Sequence, residues 1–518
     1  MQNTQAQNKI ESEIVDLLVI GGGVNGTGVA LDAATRGLKV LLVEAEDLAS
    51  STSSASSKLI HGGLRYLEQY EFKLVKEALR EREILLKKAP HIIHPLRFVL
   101  PHAKHLRPTW MIRIGMFLYD FLAGKMSLEK SKKITLKGAL KGESLIDDFT
   151  VGFEYSDCRV DDARLVVLNA RQAKEYGADI LPYHRCLEVK KENGIWQALI
   201  EDKNNQTFTV KAKAIVNAAG PWVAKVIHDV IETDSKSNVK LVKGSHIVVP
   251  KLYEGDHAYI LQNKDGRIVF ALPYGFSAEK ENQFTLIGTT DLNYQGDPRA
   301  VKISNEERSY LCDLINEYFK KHISPKDILW DYSGVRPLYD DNAKNLSKVT
   351  REYHLELEDD KGKLPALSIF GGKVTTYRTL SKHVVDKLAP YFSDLKDSQT
   401  AIIPTLGGDA SSFDDILTKI TSHYPWLKAD HTYRLAGSYG TLCFEVLKKA
   451  NGYHDLGQHF GSNLYQVEVD YLIENEWCYS VESLLWRRSK LGLLVNESEK
   501  ASLDAYLKQY LNQNPLIL

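Results

Sequence analysis

The chain has 518 residues, more than one hydrophobic core serves, and 43% of them are apolar, enough to fill two or three globular domains. Lysine plus arginine (66) nearly balances aspartate plus glutamate (67), which argues against nucleic acid as a partner and leaves any basic site local. Cys158, Cys186, Cys312, Cys443 and Cys478 form no CxxC pair and have no metal-like spacing to histidine, so they read as small buried hydrophobes of a reducing compartment, with no metal expected.

From the start, Met1 to Asp16 is polar and has neither the basic flank nor the apolar stretch of a signal peptide, so the protein is expected in the cytoplasm. Val15 to Ile20 is a short apolar run ending in glycines. A helical pattern follows from Asn25 to Arg36, Gly37 closes it, and Lys39 to Glu44 is a second apolar run. Strand, turn, helix and strand make a βαβ unit and hence a parallel sheet. Its turn carries Gly21-x-Gly23-x-x-Gly26. Gly21 permits the tight bend, Gly23 lets backbone approach a pyrophosphate, Gly26 lets the helix pack closely, and the helix start at Val24 and Asn25 offers N–H groups to phosphate. Glu44, ending the second strand, is placed to accept hydrogen bonds from an adenosine ribose. The pattern indicates an adenine dinucleotide and does not separate NAD from FAD.

The serine-rich run Ser50 to Ser57, followed by Lys58-Leu59-Ile60-His61-Gly62-Gly63-Leu64-Arg65-Tyr66, reads either as a flexible polar linker or as a second cofactor loop, with Ser53, Ser54, Ser57, Lys58, His61 and Gly62 as contacts. Arg107 to Lys125 mixes Trp110, Met111, Ile114, Phe117, Leu118 and Phe121 with Arg107, Arg113 and Lys125, a pattern shared by interfacial helices and by amphipathic helices packed on a core. Ala214 to Trp222 is an apolar strand ending in small residues, suited to close approach of a dinucleotide at Gly220 and Trp222. Residues 241–290 hold short β-rich runs separated by Gly, Asp and Asn, which suggests an antiparallel sheet. Ile369 to Thr376 is again strand, glycine turn and helix. Its Gly371, Gly372, Lys373, Val374 and Thr375 put a helix N-terminus where it could stabilise a reduced flavin, unless it is an ordinary cap. From about residue 391 the sequence turns helical and charged. No run of about 20 apolar residues suits a membrane-spanning helix.

Taken together, SSASSKLIHGGLRYLEQYEFKLV (from Ser53), FEYSDCRVDDARLV (153–166), KGSHIVVP (243–250), IGTTD (287–291), YSGVRPL (332–338) and FGGKVTTYR (370–378) resemble, in order, the signature segments of the FAD-dependent, quinone-linked glycerol-3-phosphate dehydrogenase family. That family sits in a wider flavoprotein group with D-amino-acid and sarcosine oxidases. The tail, including Leu485-Trp486-Arg487-Arg488, resembles its C-terminal domain. The resemblance implies an α/β and α+β fold: a discontinuous Rossmann-like domain for non-covalent FAD (14–90, 145–230 and 362–390), an antiparallel-sheet substrate domain (91–144 and 231–361) and a helical C-terminal cap (391–518).

It also implies oxidation of sn-glycerol 3-phosphate to dihydroxyacetone phosphate, with Arg336 and Arg351 clamping the phosphate through bidentate hydrogen bonds. Around the reacting carbon it places Arg65, Tyr66, His246 and Lys373. Cations there favour the alkoxide, and His246 is the chosen general base because imidazole titrates near operating pH. A structural histidine is the rival reading of His246, with His61 and then Lys373 the next candidates for the base. Electrons are expected to pass to a membrane quinone, because the insertion that lengthens the related oxidases is missing. Peripheral attachment to the inner face of the cytoplasmic membrane and a homodimer are further implications. The rival enzymatic reading is an FAD-dependent oxidase or dehydrogenase of another small anionic alcohol or amine; a non-enzymatic nucleotide-binding module would not need Arg65, His246 and Lys373.

Overall fold

The computed structural model describes residues 13–102, 107–233, 235, 237–263, 266–275, 279, 282–340 and 352–514. The chain opens with β1 (Ile14–Ile20), α1 (Val24–Thr35) and β2 (Val40–Glu44), followed after the serine-rich loop by α2 (Phe72–Lys88), β3 (Ile93–Pro101) and α3 (Thr109–Ala123). Next come β4 (Val151–Val160), α4 (Asp162–Glu175), β5 (Asp179–Pro182) and β6 (Thr207–Asn217), then β7 (Val239–Pro250), β8 (Ala258–Gln262), β9 (Ile268–Tyr274) and β10 (Phe284–Gly288). Helix α5 (Asn305–Tyr318), strands β11 (Trp330–Tyr339), β12 (His354–Glu358) and β13 (Ala366–Phe370) and helix α6 (Tyr377–Leu388) complete this part. The C-terminal helices include α7 (Phe413–His423), α8 (Ala429–Tyr439), α9 (Gln466–Glu476) and α10 (Glu497–Gln513).

The continuous apolar runs at the N-terminus form the centre of a parallel sheet with strand order β13-β6-β1-β2-β5. Such strands are covered on both faces, which is why no polar alternation breaks them. In β1, Leu17 and Val19 point into the layer of α1, α4 and α6, while Leu18 and Ile20 point into the opposite layer with Trp196 and Ile200. Helix α1 stops at Arg36, where Gly37 takes φ +95°, a backbone conformation glycine adopts without strain.

The second sheet runs β7-β10-β9-β8-β3-β4, with β11 paired antiparallel to β7. Its pairings are antiparallel apart from β8 with β3. One face packs on α5 and the other on α2 and α3. Strand β4 belongs to this sheet, paired with β3, whereas the sequence reading placed residues 145–230 with the FAD-binding segments. The chain returns to the parallel layer only at Asp161, whose carboxylate caps α4 by accepting from Arg164 N–H.

The C-terminal helices share one continuous buried cluster with the α1–α4–α6 layer. Asp47, just beyond β2, accepts from Arg487, Arg488 and Ser483, and Arg164 of α4 makes a buried bidentate pair with Glu476 of α9. Trp486 stacks on Trp330 of β11 with ring centres 4.0 Å apart.

Candidate active site

A cavity of about 980 Å³ runs from the glycine turn after β1, along the serine-rich loop, to the inner face of the antiparallel sheet. Gly21, Gly23, Val24, Asn25, Glu44, Ser53, Ser57 and His61 line it, as do Gly220, Trp222 and Gly371 to Thr375. The substrate candidates Arg65, Tyr66, Arg336 and Lys373 line the same cavity. Gly26, Ser54, Lys58, Gly62 and His246 stand behind this wall. Arg351 lies outside the described residues.

The backbone around α1 fits a dinucleotide pyrophosphate. Gly21 has φ +115°, and a Cβ there would come within 2.6 Å of the Ala218 carbonyl oxygen. A Cβ on Gly26 would overlap the carbonyl oxygen of Gly21, so α1 meets the turn at a distance only glycine allows. The N-cap residue Gly23 has no side chain to cap α1; Val24 N–H donates to Ser53 Oγ at 3.0 Å, and the N–H groups that follow are left for an anion. Glu44 accepts from the N–H of Gly22 (2.6 Å) and Glu46 (2.8 Å). Burial pushes its carboxyl up from the usual carboxylate range, against the pull of those two bonds. Asn25 Nδ2 donates to the Gly371 carbonyl at 3.1 Å, tying the first glycine turn to the second across 346 residues of sequence.

The serine-rich loop is held from behind. Lys58 is buried and donates to Asp162 Oδ1 and to the Ser54 carbonyl, each at 2.8 Å, so it anchors the loop to the start of α4. Thr52 Oγ1 donates to the Val335 carbonyl and Tyr332 hydroxyl to the Ser56 carbonyl, fastening the loop to β11. Gly334 permits this contact, since a Cβ there would come within 2.9 Å of Ala55 Cβ. Gly62 N–H donates to Tyr119 Oη at 3.0 Å, Tyr119 donates to Asp157, and Asp157 is paired with Arg82 at 2.9 Å. Lys58 and Gly62 were chosen from the sequence as cofactor contacts, but they do not line the cavity and support the loop from behind; Thr52, Arg82, Tyr119, Asp157, Asp162 and Tyr332 were not singled out, because their partners lie on distant elements.

At the far end of the cavity the cations converge. Lys373 Nζ lies 3.9 Å from the centre of the Tyr66 ring, a cation–π contact that fixes both groups. His61 N–H is bonded to Thr375 Oγ1 at 3.2 Å; burial lowers the imidazole's affinity for protons, Asp157 opposes that and Lys373 adds to it. Arg336 donates to Asp291 Oδ1 at 2.6 Å and to Thr289 Oγ1 at 3.1 Å. The IGTTD segment carried a signal for these two residues, but neither was chosen as a site residue.

His246 is 1% exposed, stacked on Tyr332 at 4.8 Å between ring centres, and its Nε2 lies 2.9 Å from Ser57 Oγ. Ser57 therefore separates this histidine from the cavity. Burial holds the imidazole well below its ordinary value, and the positive charges of Arg336 and Lys58 reinforce the effect.

The profile of the FAD dependent oxidoreductase family matches residues 16–378, and that of the C-terminal domain of alpha-glycerophosphate oxidase matches residues 398–510. A glycerol-3-phosphate dehydrogenase of Pseudomonas aeruginosa is 51% identical over 96% of this chain and 96% of its own length. A D-erythritol 1-phosphate dehydrogenase of Brucella abortus is 46% identical over 97% of this chain and 99% of its own. The glycerol-3-phosphate dehydrogenase of Bacillus halodurans, solved as a complex with FAD, superposes with a TM-score of 0.77 at 27% identity, covering 99% of this chain and 93% of that one.

Proposed function

Because the chain belongs to the family of FAD-dependent oxidoreductases, we propose that it oxidises the secondary alcohol of sn-glycerol 3-phosphate to dihydroxyacetone phosphate and delivers the electrons to a membrane quinone. The observation that carries this reading is the convergence of Arg336, Arg65 and Lys373 in the cavity lined by the two glycine turns. FAD, when bound, supplies the acceptor for the hydride leaving the alcohol carbon. Gly21, Gly23, Val24, Asn25, Glu44, Ser53 and Gly220 would hold its dinucleotide part, and His61 with Gly371 to Thr375 its ring end.

Arg336, with Arg351 as the proposed second arm, binds the phosphate; a guanidinium fork suits its planar pairs of oxygens. Arg65 and Lys373 favour the alkoxide and polarise the product ketone. His246 receives the hydroxyl proton through Ser57, which lines the cavity and whose Oγ lies 2.9 Å from Nε2. The charge of Arg336 depresses the basicity of His246, so a phosphate arriving on Arg336 relieves that effect and makes the base stronger when substrate is present.

Support for a quinone at a membrane comes from α3. Trp110, Ile114, Phe117 and Phe121 are 60%, 52%, 66% and 71% exposed along one face, with Arg107, Arg113 and Lys125 at its flanks. Among the described residues no helix is long and apolar enough to cross a membrane. The buried side of α3 packs on the cluster that includes the cavity-wall residues Leu64, Ile260, Ile268 and Phe270, an apolar path suited to a lipid-soluble acceptor at the inner face of the cytoplasmic membrane. A homodimer is proposed on the family resemblance alone.

Anaerobic titration of the purified flavoprotein tests the substrate. sn-Glycerol 3-phosphate should bleach the visible flavin bands while glycerol and lactate leave them unchanged. Bleaching by lactate, or by D-erythritol 1-phosphate in preference to the glycerol ester, would overturn the assignment, the latter in favour of the activity for which the Brucella relative is named.

A further inference from the structure

The structure holds two kinds of arginine–carboxylate pair. Arg164–Glu476 is wholly buried, at 0% exposure for both side chains, and Arg82–Asp157 is nearly so. Such pairs are permanent, because parting them would strand a charge away from water. Arg336–Asp291 differs: its side chains are 30% and 31% exposed, both line the cavity, and the pair sits where the substrate's phosphate is read to bind. A partly solvated pair gains little net energy and is readily exchanged for another anion.

The backbone fixes Arg336 in this position. In the β7–β11 register Gly244 faces Gly334, and the Arg336 guanidinium lies across Gly244, where a Cβ would come within 2.6 Å of Nη2 and 3.1 Å of Cζ. With Thr289 Oγ1 on Nη2 and Asp291 on Nη1, both ends of the fork are engaged. An anion entering the cavity meets an arginine whose charge a carboxylate already offsets.

We propose that Asp291 is a built-in competitor for Arg336, which sets the charge an anion must carry before it gains from this arginine. This rests on the reading that Arg336 receives the substrate's phosphate. A monocarboxylate offers Arg336 one negative charge, the same as Asp291, so exchanging one for the other gains nothing. A phosphate dianion offers two, and Coulomb attraction scales with the product of the charges. It therefore displaces Asp291, which at 31% exposure has water within reach of its released carboxylate. The cavity thus admits phosphate esters and ignores the lactate- and amino-acid-like anions that would otherwise use an arginine and two further cations. After turnover the returning carboxylate also helps to expel the charged product.

The test is Asp291→Asn in the FAD-loaded protein, with Asp291→Ser as a second neutral variant should the amide disturb folding, and Asp291→Glu to restore the charge. Inorganic phosphate is the probe, measured by its own binding through calorimetry and perturbation of the flavin spectrum. Both neutral variants should bind phosphate about three- to tenfold more tightly than the natural protein, with a parallel fall in KM for sn-glycerol 3-phosphate. Lactate, expected to have no effect on the natural protein, should become a measurable competitor of both neutral variants. Asp291→Glu should behave as the natural protein does. Unchanged or weaker phosphate binding in both neutral variants would overturn the proposal and make Asp291 a prop that merely orients Arg336. Phosphate binding is read without turnover, so it decides the role of Asp291 even if sn-glycerol 3-phosphate fails as a substrate.

Discussion

Ser57 and His246 act as a unit in the proposed proton path, and their geometry gives each a distinct kinetic signature. His246→Ala removes the acceptor, so kcat should fall by about 10²- to 10⁴-fold with KM nearly unchanged. Ser57→Ala breaks the path between cavity and ring and should also act mainly on kcat, more mildly because a water molecule can take the place of a hydroxyl. Steady-state kinetics from pH 6 to 9 decide it: normal turnover by His246→Ala would move the role to His61, which lines the cavity directly. At this scale the sequence was most informative where one motif held several neighbours, as in His61 to Tyr66 and Gly371 to Thr375. It was least informative where function depends on a cross-strand partner. Asp291 lies 45 positions from Arg336. The IGTTD segment drew attention to its neighbourhood, but a linear reading could not show that this carboxylate faces Arg336. The burial of His246 behind Ser57 was hidden for the same reason, since it depends on how β7 meets a loop nearly 190 residues earlier.

Helix α3 shows how one element answers to two environments. Its periodicity predicted an amphipathic helix but left open which face was covered. In the fold Met116 and Tyr119 turn inward, and Tyr119 reaches Asp157 and Gly62, while the aromatic stripe faces out. The sequence could not choose because both stripes are apolar. Exchanging the outer one for charge should separate attachment from folding. Phe117→Glu with Phe121→Glu should lower binding to anionic lipid vesicles by at least about tenfold, since each buried aromatic contributes on the order of 2 kcal/mol. Melting temperature and dye-linked turnover in solution should stay as they were, because neither ring belongs to the core. Co-sedimentation measures the first and calorimetry the second; undiminished pelleting would show that another surface meets the membrane. Strand β4 illustrates the opposite difficulty. Its mixed run of polar and apolar residues shows no exposed face, because Glu154, Ser156 and Asp157 are all buried against partners such as Arg97, Lys141 and Arg82. Alternation marks a strand only where one face is wet.

Across the whole molecule, the parallel layer and the C-terminal helices form one buried mass, and histidines are buried both there and in the antiparallel sheet. The sequence marked the tail as helical, yet its union with the first layer depends on buried pairs such as Arg488 with Asp47 that no local pattern announces. His91, His94, His246, His257 and His431 are all buried, and burial lowers each of them, to about 3 for His91 and about 4 for His257. In the unfolded chain a histidine takes up its proton near pH 6.5. Below that value the unfolded state binds more protons than the folded one, so stability is fully present above pH 6.5 and is lost as pH falls toward the lowered values. At about 1.4 kcal/mol per pH unit, His91 and His257 each cost about 2 kcal/mol by pH 5, about 4 kcal/mol together, and the other three act in the same direction. That is a large fraction of the stability of an ordinary domain, about 5 to 15 kcal/mol. Lys88, lowered from 10.5 to about 7, acts in the same sense over a higher range: its contribution is lost as pH falls from 10.5 to about 7, so it adds little below pH 6.5. The melting temperature should therefore decline gently from pH 8 to 7, where Lys88 acts, and drop steeply from pH 6.5 toward pH 5 as the histidines add together, as followed by calorimetry and circular dichroism. Equal melting temperatures at pH 7.5 and 5 would mean that these imidazoles take up protons inside the folded protein.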